Sequence, residues 1–298
     1  MSLTEILKSN RPKLSDSTLR TYNSIINSLY RKMHNQSVGN AQDVSTFFDE
    51  NAEKVLTFLK DAEPNHRKTI LASLVVLCVG KDCVEKYRKQ MLEDAEQTNR
   101  QQRLQKKSET QKDNWISQDE VMRVYRSLER RVSALWKVPH HVKNELEMLQ
   151  DFVILSLYVL IPPRRLLDYT AFKIRNVDKE KDNYMDGRHF VFNQYKTAKK
   201  YNKQEVPIPI KLKQIIQKWS KLNEGDFLLM DDDKPFSAPK LTLRLNRIFG
   251  GRRISVNQLR HTFITDKVLN NVPALSKLDK VAKQMGHSVN EAMLYKKV

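Results

Sequence analysis

The stretch ELEMLQDFVILSLYVLIPP, residues 145–163, sets the strongest constraint on what this chain can fold into. Its second half is apolar almost all round, and Pro162 and Pro163 stop it, so the spacing predicts a helix buried on every side. Such a helix needs neighbours on all flanks, which calls for a layered domain around it. The segment before it, WISQDEVMRVYRSLERRV, opens with Ser117 and Glu120 at capping-box spacing. After it the period changes. YMDGRHFVFNQYKT offers a turn at Asp186–Gly187 and then a strand, and QEVPIPI reads as the partner strand. KLKQIIQKWSKL, APKLTLRLNRIF and SVNQLRHTFITDKVL return to helical spacing. The expected class is mainly α with a small antiparallel β-sheet.

The N-terminal part reads as a separate helical module over residues 1–93. LSDSTLRTYNSIINSLYRKM places Leu19, Tyr22, Ile26 and Leu29 on one face, with Asp16 or Ser17 as start signals. NAEKVLTFLKD and PNHRKTILASLVVLCV continue the helical pattern. EDAEQTNRQQRLQKKSETQKDN then has almost no large apolar residue. It is either a solvated helix extension or a linker, placed at 94–113, ahead of a second domain at 114–298.

Charge narrows the function classes. Over 298 residues the formal net charge is +18, a field suited to polyanions, of which DNA or RNA is the commonest large one. The other candidate is a membrane surface, but no apolar run approaches the roughly 20 residues of a span and no signal peptide opens the chain. Cys78 and Cys83 sit in an apolar helical stretch and read as reduced, structural and intracellular. No Cys/His cluster has zinc-ligand spacing, and the acidic run at 231–233 reads as a solvated turn, so neither metal nor cofactor is expected.

Five polar positions of the second domain carry the chemistry. Arg164 and Arg165 follow directly on the buried helix, where a pair of guanidinium forks suggests anion binding. Lys196 stands where a strand gives way to a hairpin loop, either as an edge lysine that blunts aggregation or as a functional cation. Arg260 and His261 interrupt an apolar helix, so Arg260 needs a carboxylate or a ligand phosphate. His287 lies in a Gly-His-Ser turn, and Ser288 and Glu291 have capping-box spacing for a short helix that carries Tyr295. Tyr295 is either packed on a core or presented toward whatever His287 contacts.

In that order, this set resembles the tyrosine recombinase (phage integrase) family over roughly residues 115–298. The opening helix LSDSTLRTYNSIINSLY is similar to the first helix of that family's core-binding domain. The family's Gly-Leu-Arg-x-x-Glu matches Pro163-Arg164-Arg165-Leu166-Leu167-Asp168, which implies Arg165 as the catalytic arginine and Asp168 as its supporting acid. KTAK matches the hairpin motif and names Lys196. NQLRH matches the His-x-Leu-Arg-His box, giving Arg260 and His261, with Asn257 at the first histidine's position. MGHS names His287, and the nucleophile falls on Tyr295. An amide at Asn257 donates to phosphate but takes no proton near neutral pH, so any base has moved to His261 or water. The His287–Tyr295 gap is one residue shorter than is usual in the family, a turn of about 100° on a helix. Many relatives carry a further C-terminal helix that docks on a neighbouring subunit, and with Val298 ending the sequence that element is expected to be missing, truncated or replaced.

The resemblance implies a helical core-binding domain and a catalytic domain clamped on double-stranded DNA as a homotetramer, intracellular at genomic or viral DNA. It implies cleavage through a 3′-phosphotyrosyl link, with Arg165 and Arg260 on the non-bridging oxygens, His287 and Asn257 adding hydrogen bonds, and Lys196 protonating the leaving oxygen. PPRRLLDY is similar to recombinases carried by large DNA viruses and their mobile elements. Candidate DNA contacts are Arg20, His66, Arg67, Lys68, Arg164, Lys199, Lys240 and Arg244, each equally readable as a solvated charge. Two other readings stay open: a monomeric type IB topoisomerase-like enzyme, and a catalytically inactive DNA-binding relative.

Overall fold

The computed structural model describes residues 2–34, 40–270, 272–284 and 289. The chain divides into two compact units, one of Met1–Lys106 with Ala274–Val298 and the other of Lys107–Pro273.

In the first unit, α1 (Leu3–Asn10) starts from a capping box in which the Ser2 hydroxyl accepts from Glu5 N–H and the Glu5 carboxylate accepts from Ser2 N–H. α2 (Asp16–His34) buries Leu19, Ile26 and Leu29, with Tyr22 half-buried beside them, the face that the spacing predicts. α3 (Ala41–Glu50) and α4 (Ala52–Phe58) add Val44, Phe48 and Val55 to the same core. α5 (Pro64–Leu77) begins with proline in its first turn, where the missing N–H costs nothing, and packs along α6 (Val84–Arg103). Tyr87 of α6 donates its buried hydroxyl to the Phe48 carbonyl at 2.6 Å. Cys78 and Cys83 are both buried free thiols, and burial pushes the Cys78 thiol up to about 11, which keeps it unreactive.

The polar stretch from residue 94 is thus the continuation of α6 as far as Arg103, stabilised on one side by buried Asp94 and Thr98. α7 (Glu109–Asp113) follows in the second unit, with no buried residue.

The second unit is organised around the helix that the apolar run predicts. α8 (Gln118–Val132) opens with the expected Ser117–Glu120 capping box. α9 (Lys143–Val159) buries every residue from Leu149 to Tyr158 and is flanked by α8 and by two later helices. α10 (Leu167–Thr170) is a single turn after the two prolines. A four-stranded sheet then forms from β1 (Phe172–Lys173), β2 (Asn183–Asp186), β3 (His189–Phe192) and, after α11 (Ala198–Tyr201), β4 (Gln204–Pro207). β1 pairs parallel with β2; the other pairings are antiparallel, and Val206 faces Phe190. The β2–β3 turn relies on Gly187 at φ 56°, left-handed backbone that an L side chain rarely adopts. α12 (Ile210–Leu222) packs on α9, and a short hairpin of β5 (Met230–Asp231) and β6 (Lys234–Pro235) follows. α13 (Ala238–Ile248) also packs on α9, and α14 (Val256–Phe263) runs into a π-helical turn at Ile264–Val268. α15 (Leu275–Gln284) belongs to the first unit, where Leu275 N–H donates to Gln105 Oε1 at 2.7 Å.

No described helix is long and apolar enough to cross a membrane.

Candidate active site

The residues at the centre of the site come from three places in the second unit. The first is the loop that leaves α9. Pro162 and Pro163 prevent helix continuation, and the backbone turns through Arg164 and Arg165 into α10, where Asp168 N–H donates to the Arg165 carbonyl at 3.0 Å. Asp168 is 1% exposed. Its Oδ2 accepts from Arg164 Nε at 2.9 Å, while its Oδ1 is buried without a hydrogen bond. Burial pushes the Asp168 carboxyl up from its ordinary value, against the opposing pull of Arg164, Arg165 and Arg260.

Those opposing charges locate the second element, α14. Ser255 caps it by accepting from Gln258 N–H, and Leu259 and Thr262 anchor its inner face. Asn257, Arg260 and His261 are at i, i+3 and i+4 on that helix, hence on one side of it. Arg260 is half-buried, and Asn257 and His261 are exposed. Arg260 and Arg165 make no side-chain hydrogen bond or ion pair among the described residues, though the charge of each reaches Asp168. Two half-buried guanidinium groups with open donors beside one buried carboxylate make an anion site with an excess of positive charge. Sequence leaves open a carboxylate or a ligand phosphate for Arg260; Asp168 is a carboxylate within electrostatic range, and among the described residues the Arg260 donors have no partner.

The third element is the β3–β4 connection. Lys196 is exposed in the turn just before α11, and Lys199 is exposed within it. This is the hairpin loop that the pattern predicts.

Three cations expected at DNA are instead committed inside the protein. Arg164, besides its bond to Asp168, donates to Gln204 Oε1 at 3.1 Å and lies over the Phe192 ring at 3.9 Å. Arg67 grips both Asp94 oxygens, at 2.9 and 2.6 Å, and donates to the Lys60 carbonyl, joining α5 to α6. Arg244 is 7% exposed and donates to Asp151, to the Glu147 carboxylate and to the Glu147 carbonyl. Each correction has the same physical cause: a carboxylate folds against the arginine, one helical turn away for Arg164 and far along the chain for Arg67 and Arg244, and a buried cation requires one. Lys240 pairs with Asp231 at 2.9 Å but stays partly exposed. Arg20 and His66 are exposed and Lys68 half-exposed, all in the first unit.

His287 and Tyr295 lie outside the described residues. Within the acidic run, Asp231 pairs with Lys240 and Asp232 with Lys143. Among the described residues no group of His, Cys, Asp and Glu is placed to hold a metal ion. Sequence reasoning missed Asn183. This 1%-exposed amide donates to the Asp168 carbonyl at 3.1 Å and to the Gln194 carbonyl at 2.7 Å, and its Oδ1 accepts from Asn193 and Gln194 N–H. Its only sequence signal is an asparagine at the head of the strand NYMD, which any turn explains as well.

No protein-family model matches the sequence, and no curated protein does. Among solved structures, the crystal structure of XerA recombinase aligns over 99% of this chain and 93% of its own length, with 13% identity and a TM-score of 0.37.

Proposed function

We propose that this chain cuts and rejoins double-stranded DNA by tyrosine-based transesterification, as a site-specific recombinase or integrase. The observation that carries the reading is the pair of half-buried guanidiniums, Arg165 and Arg260, which have no hydrogen-bond partner among the described residues and whose charges both act on Asp168. In a protein that satisfies its other buried arginines internally, such a pair is suited to a phosphodiester.

In this mechanism Arg165 and Arg260 hold the non-bridging oxygens and stabilise the negative charge that grows at phosphorus. The cationic surroundings favour ionisation of Tyr295, whose proton is released to solvent. The phenolate attacks, a phosphorus–oxygen bond to Tyr295 forms, and the bond to the 5′ oxygen breaks. Lys196 gives that oxygen its proton and regains one from solvent. Reversal with a second 5′ hydroxyl rejoins the strand, and no external energy source enters. Asn257 and His287 contribute hydrogen bonds to the phosphate, and subunits assemble as a tetramer on DNA. The formal net charge of +18 supports a phosphate-dominated association.

The test is capture from a pool of nicked duplexes with randomised flanks. A denaturant-resistant protein–DNA adduct in the wild type, absent in Tyr295→Phe, is expected. Retained binding with no adduct from any duplex identifies an inactive DNA-binding relative and overturns the proposal. Relaxation of supercoiled plasmid by a monomer, with no exchange between duplexes, identifies the topoisomerase-like reading instead.

A further inference from the structure

Arg165 and Lys196 are 31 residues apart, and the loop bearing one and the turn bearing the other meet through side chains whose role the reaction scheme does not use. Asn183 fixes one end of the turn, since the same amide holds the Asp168 carbonyl and the backbone of Asn193 and Gln194. Arg164 fixes the other end. Its Nε donates to Asp168 at 2.9 Å and its Nη2 to Gln204, the first residue of β4, at 3.1 Å. Between those ends the guanidinium lies over Phe192, at 3.9 Å, and next to Tyr195, at 5.6 Å. Tyr195 precedes Lys196 directly, and its hydroxyl closes the turn by donating to the Asn202 carbonyl at 2.6 Å. Asn202 itself sits at φ 55°, so the chain re-enters β4 through a backbone shape that holds only while its neighbours hold it.

Arg164 therefore touches both ends of an otherwise exposed loop and the acid beside the phosphate-facing arginines. Its Nε and Nη2 donors are engaged internally. A planar fork that reaches a carboxylate, an amide and two aromatic faces together is a device for fixing distance. On the transesterification reading, the distance it would set is that between the phosphate at Arg165 and the ammonium of Lys196.

We propose that Arg164 is a positioning residue that keeps the Lys196 turn in register with the anion site, so that its loss impairs proton delivery to the leaving oxygen and spares phosphate binding. The inference rests on the transesterification reading above and deepens it. It assigns Gln204 and Tyr195 to the same strap.

The test uses the duplex recovered by adduct capture, synthesised with either oxygen or sulfur at the bridging 5′ position of the cleaved phosphate. A thiol ionises at about pH 8.5, so a thiolate departs without a proton and the sulfur duplex bypasses the general acid. Single-turnover cleavage is measured for wild type, Arg164→Lys, Gln204→Leu, Lys196→Ala and Arg165→Ala. Arg164→Lys keeps a cation next to Asp168 but loses the fork; Gln204→Leu leaves the Arg164–Asp168 pair untouched and guards against a folding defect. The expected result is a loss of roughly 10- to 100-fold on the oxygen duplex for both strap variants, within the range of general-acid effects. On the sulfur duplex both return to within about twofold of wild type, as Lys196→Ala does, while Arg165→Ala stays impaired. Equal losses on both duplexes overturn the inference, because a structural or phosphate-binding role is blind to the leaving atom. Wild-type rates on the oxygen duplex for both strap variants overturn it too. If the wild type forms no adduct with any duplex, the parent reading fails and this one falls with it; if Lys196→Ala is rescued and the strap variants are not, only this one fails.

Discussion

Replacing Arg244 by methionine separates a structural arginine from a DNA-binding one. The guanidinium joins α13 to α9 by donating to Asp151 Oδ1 at 2.8 Å, to Glu147 Oε2 at 2.9 Å and to the Glu147 carbonyl at 2.9 Å. Hydrogen bonds to charged groups contribute about 1.5–3 kcal/mol each, and breaking a buried ion pair from one side costs about 3–5 kcal/mol. Two features reduce the loss. Arg247 still donates to Glu147 and Asp151, both at 2.7 Å, so neither carboxylate is stranded. Methionine also refills most of the volume of the arginine stem. The expected destabilisation is about 3 kcal/mol, or a fall of roughly 6–12 °C in melting temperature for a unit of this size. DNA affinity at temperatures where the variant is folded should not change, and neither should the slope of log affinity against log salt. A phosphate-contacting arginine behaves in the opposite way: its loss lowers that slope by about 0.9 and leaves melting almost untouched. Arg260→Met and Arg165→Met are the matched controls, because their donors have no partner among the described residues. Scanning calorimetry and salt-dependent gel shifts on the same preparations give both quantities. The reasoning is refuted if Arg244→Met melts like the wild type and loses one phosphate's worth of salt dependence.

The other expectations are shorter to state. Tyr295→Phe should keep duplex binding within about twofold while covalent adduct disappears, since only the nucleophilic oxygen is removed; residual adduct on a denaturing gel would point to another nucleophile. Arg67→Ala strands Asp94, which is 1% exposed, and should cost about 3–5 kcal/mol in the first unit, measured by urea titration with the loss confined to that unit's transition. Glu147 has a pH signature: the hydrogen bond from Arg247, with the charge of Arg244, holds its carboxyl below the usual glutamate value despite partial burial. The folded state then binds fewer protons than the unfolded one, so this contribution is full above about pH 4.3 and is lost as pH falls through that value to the lowered one. Glu147→Gln should be less stable than wild type at pH 7, with the gap closing toward pH 3; parallel melting curves would contradict this. Asp168→Asn removes the negative charge beside Arg165 and Arg260 and loosens Arg164, so DNA should bind more tightly while single-turnover cleavage slows, and a parallel fall in both would count against the site.

Much of the local structure could be read directly from residue order. The apolar run before Pro162 does become a buried helix, Ser117 and Glu120 do form a capping box, and Gly187 does turn β2 into β3. These are short-range outcomes, set by side chains within a few residues of one another. The division of labour among arginines was not legible, because it is decided at long range. Arg67 finds Asp94 at a separation of 27 residues, and Arg244 finds Asp151 at 93. No pattern around either arginine announces its partner. The same applies to Asn183, whose importance comes from two backbone segments that converge on one amide. The two-residue strand β1 and its parallel pairing with β2 also left no periodic trace. For Arg164 and Arg165, adjacent and chemically identical, only the fold shows that one faces inward to Asp168 and Gln204 while the other's donors have no partner among the described residues.

That asymmetry also gives the site its charge. One carboxylate, Asp168, lies within reach of three guanidiniums, and with Asp168 ionised three positive charges less one negative leave a surplus of two. A phosphodiester carries one negative charge, and attack by a phenolate brings a second to the phosphorus region as the new bond forms. In the reaction proposed above, a surplus of two would match the transition state better than the bound ground state, which is the condition for lowering a barrier and not merely for tightening binding. Without Asp168 the same arginines would hold the ground state more strongly and gain less on the way to the transition state. On that proposal the buried acid would limit affinity in favour of turnover. Its burial, which opposes ionisation, makes Arg164 necessary as its direct hydrogen-bonding partner, and that partner is the residue that reaches across to the Lys196 turn.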